Sequence, residues 1–183
     1  MNEDSFPEIL RAARTGAEWA WTVIYRDLAP PVLGYLRSRG SIEPDDLLGE
    51  VFLQIVRDLH NFDGTEREFR AWVFVIAHHR ILDDLRRRAR RPVEPTATIG
   101  ELGLSSGDVE DEALGALSAD RVRTMLARLS PDQCDVLLLR LLGGLTIDEI
   151  ARALRKRPTA VKALQRRGLA AIERTISKEG VPL

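Results

Sequence analysis

Residues 145–176 read LTIDEIARALRKRPTAVKALQRRGLAAIERTI. Thr146 and Glu149 have the spacing of a capping box, in which an N-cap side chain and the third helical residue bond each other's backbone. Pro158 breaks the pattern, because proline disfavours helical geometry in the preceding residue and has no N–H to donate. Thr159 is then the expected N-cap of a second, longer helix. A short helix, a brief turn and a longer helix predict a helix-turn-helix.

Positive charge is concentrated in the same stretch. No acidic residue lies between Glu149 and Glu173, and the basic residues there include Arg155, Lys156, Arg157, Lys162, Arg166 and Arg167. Helix-turn-helix proteins place the start of the second helix at base edges and surround it with cations that bind phosphates. The stretch therefore favours a reader of duplex DNA, with a solvated surface helix of an ordinary bundle as the alternative.

Four helices are expected in the N-terminal half, because apolar residues recur there at helical spacing. They run from Ser5 to Gly16, Ala17 to Arg39, Pro44 to Leu59 and Thr65 to Arg90. Ser5 and Glu8 have the spacing of a further capping box. Pro30-Pro31 is expected to kink or split the second helix. No alternating apolar pattern typical of a strand is present, so the chain is predicted to be all-α.

A change in composition divides the chain. Residues 92–120 contain Pro, Gly, Ser and several acids but no Lys or Arg, and their first part is typical of a linker. A helix is expected near residues 109–128, and Ser130 with Gln133 predicts the capping box of the next one. We therefore predict two small helical domains joined by a flexible acidic linker, with limits 1–91, 92–112 and 113–183.

Overall composition indicates an ordinary globular protein. The 183 residues carry 27 Lys and Arg against 28 Asp and Glu, a net charge of −1. The single cysteine, Cys134, cannot form an internal disulfide and suits a reducing cytoplasm. No run is apolar enough to span a bilayer, and the acidic N-terminus is unlike a signal peptide. We expect a cytoplasmic protein.

Two adjacent histidines and two aspartates look at first like a metal cluster. His79 and Asp83 lie four residues apart on one helix face, with His78 and Asp84 beside them. A catalytic site needs a further ligand, no H-E-x-x-H spacing occurs, and flanking arginines would repel a divalent cation. Nucleophile motifs and phosphate-binding glycine loops are also missing from the sequence. We predict no enzyme, no metal and no cofactor, with an HD-type metal hydrolase as a weak alternative.

Two segments of the chain resemble conserved regions of bacterial sigma factors. Residues 45–56 (DDLLGEVFLQIV) and 67–91 (REFRAWVFVIAHHRILDDLRRRARR) resemble region two, and residues 126–174 resemble region four. The residues that match the region-two pattern are Asp46, Leu47, Glu50, Phe52, Phe69, Trp72, Ile76, Ala77, Asp83 and Arg86. The two regions occur in this order without an intervening domain, which resembles the small extracytoplasmic-function (ECF) sigma factors.

The resemblance implies a polymerase subunit that contacts promoter DNA at two elements. The residues implied in docking on the polymerase β′ clamp helices are Asp46, Glu50 and Gln54. Those implied at the minus-ten strand are Asn61, His79, Arg80, Arg86 and Arg87. Those implied at the minus-thirty-five duplex are Arg157, Thr159, Lys162, Ala163, Arg166 and Arg167. The implied partners are core RNA polymerase, through its β′ clamp helices and β flap, promoter DNA and an anti-sigma factor.

Some positions depart from the family pattern. His79 stands where the family often has Asn, Gly49 where it often has Gln, and Arg155 where the turn usually has Gly. A left-handed backbone at Arg155 would cost roughly 1 kcal/mol relative to Gly. The Lys162-Ala163-Leu164 segment also has one cation fewer than the commoner Lys-Ser-Arg.

A stand-alone LuxR-like helix-turn-helix regulator is the alternative from a different functional class. Such a protein would bind duplex DNA without polymerase. It would carry a receiver domain or a ligand pocket in its N-terminal half, where this chain has a basic helix after Phe69-Arg70-Ala71-Trp72.

Overall fold

The computed structural model describes residues 1–90, 122 and 124–179, and these residues form helices, turns and loops with no strand. The helices are α1 (Phe6–Arg14), α2 (Glu18–Ser38), α3 (Pro44–Asp58), α4 (Glu66–Arg90), α5 (Pro131–Leu141), α6 (Ile147–Ala153) and α7 (Pro158–Glu179). A short 3-10 helix, Leu59–Asn61, follows α3. The all-α prediction is confirmed. The predicted linker, residues 92–112, and most of the helix predicted near residues 109–128 lie outside the described residues.

Helices α1–α4 form the N-terminal bundle, which closes around aromatic side chains. Phe69 of α4 is fully buried, and its ring lies 5.4 Å from that of Phe6 and 5.7 Å from that of Trp72. Phe62, in the loop before α4, stacks on Trp72 with the ring centroids 5.2 Å apart. Aromatic pairs at such distances add to the stabilisation that burial of their apolar area provides. They hold the loop before α4 against the first turns of that helix.

The second helix is not split at Pro30-Pro31, because α2 continues from Glu18 to Ser38 through both prolines. The missing N–H groups leave the carbonyls of Arg26 and Asp27 without their helical donors. Arg26 is exposed and Asp27 is half-buried, so water can reach this side of the helix. Buried residues on the opposite side hold both halves of α2 in one core: Leu28, Ala29 and Val32.

Two predicted helix starts also need correction. Ser5 makes no capping bond to α1, because its backbone is already helical and its side chain and N–H bond Asn2 instead. The last helix begins at Pro158, so Thr159 lies inside its first turn and is not the N-cap. Proline takes this first position readily, since the first N–H groups of a helix have no internal partner.

Helices α5–α7 form the C-terminal bundle. Both capping boxes predicted here are confirmed: Ser130 Oγ accepts from Gln133 N–H, and Thr146 Oγ1 accepts from Glu149 N–H, each at 3.3 Å. Helix α7 packs closely on α5 at Gly168, where an added Cβ would lie 2.9 Å from Leu137 Cδ1. The capping boxes define where α5 and α6 begin. The close approach at Gly168 fixes the position of α7 against α5.

The two bundles share one continuous hydrophobic core. Gly143, between α5 and α6, lies against the Phe74 ring of α4, where an added Cβ would be 2.9 Å from Cγ. Helices α4 and α6 are in direct contact. Across residues 1–90 and 124–179, the structure contains no helix long and apolar enough to cross a membrane.

Candidate nucleic-acid and protein interfaces

The turn between α6 and α7 has a left-handed residue. Arg155 has φ 52°, and it is the residue that the sequence pattern places where glycine is usual. The N–H of Lys156 then donates to Ala151 O at 2.9 Å, which closes the end of α6. A positive φ brings the Cβ of an ordinary residue close to backbone atoms and costs of order 1 kcal/mol. The turn position where the sequence pattern usually has Gly is therefore left-handed in this chain.

We expect Arg155→Gly to raise the free energy of unfolding by about 1 kcal/mol, because glycine adopts this conformation without strain. Arg152→Gly, at an exposed position in the last turn of α6, is the matched control. It should lower the free energy of unfolding by about the same amount, since glycine is unfavourable inside a helix. Denaturant unfolding of the two variants measures both changes. A loss of stability in Arg155→Gly would contradict the account of the turn.

One face of α7 presents the predicted duplex-binding side chains to solvent. Thr159, Lys162 and Arg166 are exposed and follow one another at helical spacing of three and four residues. Arg157 and Arg167 are also exposed, whereas Ala163 is half-buried. The opposite side of α7 is fixed by buried Val161. The structure therefore brings these predicted residues together on one accessible basic surface.

The predicted docking residues lie along one side of α3. Asp46 and Glu50 are exposed and one helical turn apart, and Gln54 follows after another turn. Exposed apolar side chains lie on the same helix, with Leu53 63% and Val56 53% exposed. An uncovered surface that combines carboxylates with large aliphatic groups is typical of a protein-binding site.

The predicted minus-ten residues do not all come together. Arg80 Nε donates to Gln54 Oε1 at 3.0 Å, and its Nη1 lies 3.7 Å from Glu50, so Arg80 belongs to the α3 surface. His79 and Arg86 face the C-terminal bundle, where both line a cleft of about 570 Å³. Asn61 is exposed at the end of the 3-10 helix, and Arg87 is exposed and pairs with Asp84 at 3.2 Å.

The metal cluster that the sequence analysis set aside is not assembled in the described residues. No group of three or more His, Cys, Asp or Glu side chains there is placed to hold an ion. His78 is only 2% accessible, whereas His79 is exposed, and their ring centroids lie 5.9 Å apart. Asp83 and Asp84 pair with arginines of their own helix.

Comparison with known proteins identifies the family to which both halves of the chain belong. Residues 24–91 match the family model for sigma-70 region 2, and residues 119–172 match that for sigma-70 region 4. The ECF RNA polymerase sigma factor ShbA of Streptomyces griseus is 33% identical over 150 residues, which are 76% of this chain and 78% of ShbA. The chain belongs to the ECF RNA polymerase sigma factors. Both halves match, so the LuxR-like alternative is set aside.

Further relatives of this ECF sigma factor differ in length and divergence. BldN of Streptomyces coelicolor, also an ECF RNA polymerase sigma factor, is 29% identical over 92% of this chain, which spans 65% of BldN. The solved structure of CnrH in complex with the cytosolic domain of CnrY has a TM-score of 0.65 at 22% identity, covering 94% of this chain and 97% of CnrH. That likeness supports the fold.

A buried polar cluster connects the two bundles of the sigma factor. Asp135 of α5 is 4% accessible. Arg39, the residue directly after α2, lies with Nε 2.6 Å from Asp135 Oδ1 and Nη2 3.3 Å from Oδ2. The Tyr35 hydroxyl donates to Asp135 Oδ1 at 3.3 Å and lies 2.8 Å from Nδ1 of His78. A carboxylate inside an apolar helix face is costly to bury unless it is paired and hydrogen-bonded, as it is here.

Sequence reasoning did not find this cluster, although one signal was present. Asp135 interrupts the apolar run Cys134 to Leu139, so a charged residue is placed on a face that must be buried. Such a position requires a partner. Helical periodicity does not identify that partner, because Tyr35 is 100 residues away along the chain.

Burial shifts the titration of the cluster. It lowers the pKa of His78 to about 4, with further lowering from the positive charges of His79, Arg39 and Arg86. Burial also raises the pKa of Asp135 above its ordinary value, although Arg39 opposes this. Asp135 lies 3.6 Å from His78 Nδ1 but does little to favour its protonation, because the carboxylate is already neutralised by Arg39 at 2.6 Å.

Acidification should therefore destabilise the fold. The pKa of His78 is about 4 in the folded state against about 6.5 when exposed, so the unfolded chain binds more protons as the pH falls. Between pH 7 and pH 5 we expect a loss of about 2 kcal/mol in the free energy of unfolding. Asp135 acts in the opposite direction as the pH falls through its raised pKa, because the folded state then binds its proton more tightly than the unfolded chain. The titratable or charged groups around His78 are Tyr35, Arg39, His79, Asp83, Arg86, Asp132, Asp135, Arg155 and Lys156.

Thermal unfolding at pH 7 and pH 5 tests this expectation. His78→Gln keeps polar groups beside Tyr35 and removes the titrating ring. Its stability should change much less over the same range. An equal loss in His78→Gln and in the wild type would contradict the assignment to His78.

Proposed function

We propose that this chain directs core RNA polymerase to a specific set of promoters and helps to open promoter DNA. The observation that carries the proposal is the presence of two basic helical surfaces on separate bundles, on α4 and α7. A protein that recognises one duplex element needs one such surface. Two of them suit a factor that contacts a promoter at two spaced elements while polymerase is bound to a third surface.

The exposed face of α7 is proposed to bind the minus-thirty-five duplex. The first turns of a recognition helix reach base edges in the major groove, and neighbouring cations bind phosphates. Thr159, Lys162, Ala163 and Arg166 are the proposed base-edge residues. Arg157 and Arg167 are the proposed phosphate contacts. The exposure of Thr159, Lys162 and Arg166 on one side of α7, with exposed Arg157 and Arg167 beside them, supports the use of this face for DNA.

The loop before α4 and the α4 residues that face the cleft are proposed to hold the melted minus-ten strand. Unpaired bases need stacking or hydrogen-bonding groups, and a separated strand needs cations beside it. Asn61, His79, Arg86 and Arg87 supply such groups, and Arg80 joins them only if it leaves Gln54 and Glu50. Phe62 stacks on Trp72, and this contact holds the loop against α4.

The side of α3 that carries Asp46, Glu50 and Gln54 is proposed to dock on the β′ clamp helices of polymerase, and the C-terminal bundle on the β flap. Exposed Leu53 and Val56 support a protein partner at α3. An anti-sigma factor is the further partner that family membership suggests. We propose functional limits of 1–91 for the polymerase and minus-ten domain, 92–112 for the linker and 113–183 for the minus-thirty-five domain. The factor would act in the cytoplasm, where polymerase is, without catalysing a reaction of its own.

Permanganate reactivity of promoter DNA tests this proposal. Core polymerase with the wild-type chain should expose unpaired thymines near the minus-ten element of promoters recovered from a genomic pool. The chain alone, or polymerase alone, should expose none. Equal reactivity with and without the chain would contradict a role in promoter opening.

A further inference from the structure

Part of the proposed minus-ten surface, at His79 and Arg86, faces the C-terminal bundle across a cleft. His79 and Arg86 line the cleft of about 570 Å³ together with Asp132, Leu154 and Arg155 of the C-terminal bundle. A second cleft, of about 500 Å³, also lies between the bundles. It is lined by Trp72, Val75 and His79 of α4 and by Glu149, Arg152 and Arg155 of the C-terminal bundle. Helix α6 and the turn after it therefore form the opposite wall of the cleft in front of this part of α4.

The C-terminal bundle places carboxylates beside basic residues of the N-terminal bundle. Arg67, at the start of α4, donates through Nη1 to both carboxylate oxygens of Glu149, at 3.1 and 3.3 Å. Arg39 is paired with Asp135. These acids complement a basic surface that is suited to nucleic acid.

The two bundles are joined by more than surface charge. Phe74 and Gly143 are in close apolar contact across the junction. The cluster of Tyr35, Arg39 and Asp135 is buried there, and a buried ion pair is lost at high cost when one partner is removed. Separation of the bundles would expose these apolar and charged groups to water and break their contacts. The closed arrangement is therefore a specific packed state of the two bundles.

The closed arrangement is incompatible with contact at both promoter elements. Their names place the two elements about 25 base pairs apart, which is roughly 85 Å along B-DNA at about 3.4 Å per base pair. Here His79 and Arg155, which belong to the two DNA-binding bundles, line the same cleft. The bundles must separate before α4 and α7 reach their elements together.

We propose that this chain inhibits itself: the C-terminal bundle, docked through α6 and the Tyr35–Arg39–Asp135 cluster, covers the single-strand-binding face of α4 until the bundles separate. The inference rests on the proposed function of α4 as the minus-ten surface. It assigns α6 and the start of α5 a second role, as an internal competitor of the promoter strand. Binding to core polymerase and to DNA would then have to supply the free energy that separates the two bundles.

Two variants open the junction in the full-length chain. Asp135→Asn removes the central charge of the cluster, and Tyr35→Phe removes the hydroxyl that bonds across it without changing the ring. Asp132→Asn is the matched control, because it makes the same substitution on the same helix but at a residue that pairs within the C-terminal bundle, with Lys156 at 2.8 Å. Helical circular dichroism checks that each variant is folded.

X-ray scattering and strand binding then provide the readouts. The wild type and Asp132→Asn should have the radius of gyration of a compact chain, about 16 Å for this length. Asp135→Asn and Tyr35→Phe should be larger by several ångströms. A fluorescent, mixed-sequence single strand of about 12 nucleotides is the probe. Asp135→Asn should bind it about tenfold more tightly than Asp132→Asn, as expected if the accessible fraction rises from about a tenth to nearly all molecules.

Run-off transcription with core polymerase distinguishes failure of this inference from failure of the proposed function. Unchanged dimensions and unchanged strand affinity in both Asp135→Asn and Tyr35→Phe, with a wild type that transcribes, would overturn self-inhibition alone. Larger dimensions without a gain in strand affinity would overturn the claim that the C-terminal bundle covers the strand face. A wild type that starts no transcript would contradict the proposed function, whatever the scattering shows.

Discussion

A chain that carries both Lys162→Ala and Arg166→Ala should bind a duplex minus-thirty-five element at least about 30-fold more weakly than the wild type. Both side chains are exposed on the accessible face of α7, one helical turn apart. A base-edge contact is worth about 1–3 kcal/mol, so the loss of two gives 2 kcal/mol or more. Ala163 and the half-buried Leu164 between them offer little polar compensation.

Fluorescence anisotropy over a range of salt concentrations measures this effect. Wherever the lost contacts are to phosphate, the slope of log K against log salt should become shallower by about 0.9 for each contact. Arg174→Ala is the control, since Arg174 is an exposed basic residue near the opposite end of α7. It should keep both the affinity and the slope. If the double variant binds like Arg174→Ala, α7 does not read the duplex as proposed.

The second large effect is expected at α3. Asp46→Ala should weaken binding to core RNA polymerase about 30-fold, because truncation of one member of an interfacial charge pair costs about 2 kcal/mol or more. Asp46 is preferable to Glu50 for this test. Glu50 lies 3.7 Å from Arg80, so its replacement also alters an internal contact.

Asp45 provides the matched control for Asp46. It is an exposed aspartate in the same turn of α3, but it faces α2, where its carboxylate lies 3.5 Å from Arg37. Adjacent residues of a helix point about 100° apart. Asp45→Ala should therefore bind polymerase like the wild type in a titration with labelled chain. Equal weakening by the two substitutions would indicate a general effect of charge and would contradict the docking surface on α3.

Local structure was largely predictable from the sequence where the signals were local. The capping boxes at Ser130 and Thr146 each depend on residues three positions apart, and both are confirmed. The left-handed residue of the turn is Arg155, at the position where the sequence pattern usually has Gly. The proline pair does not split α2, and the reason is physical. Propensity rules count the two lost N–H groups, whereas the buried side of α2 supplies more stabilisation than the break would relieve.

The candidate site was predictable only in part. Helical periodicity placed Lys162 and Arg166 on one face, and the structure agrees. It did not predict that Arg80 would turn to Gln54, because that contact depends on how α3 packs on α4. Nor did it predict that Asp135 would bond Tyr35 and Arg39 across the chain, since contacts between distant segments follow from tertiary packing and not from spacing.

The central claim is that this chain makes core RNA polymerase initiate at specific promoters. Run-off transcription with core polymerase, a genomic promoter pool and the purified chain tests it most directly. The account predicts discrete transcripts that depend on the chain, and fewer of them with Asp46→Ala or with the Lys162→Ala and Arg166→Ala double variant. A chain that binds duplex DNA tightly yet starts no transcript from any promoter in the pool would contradict it.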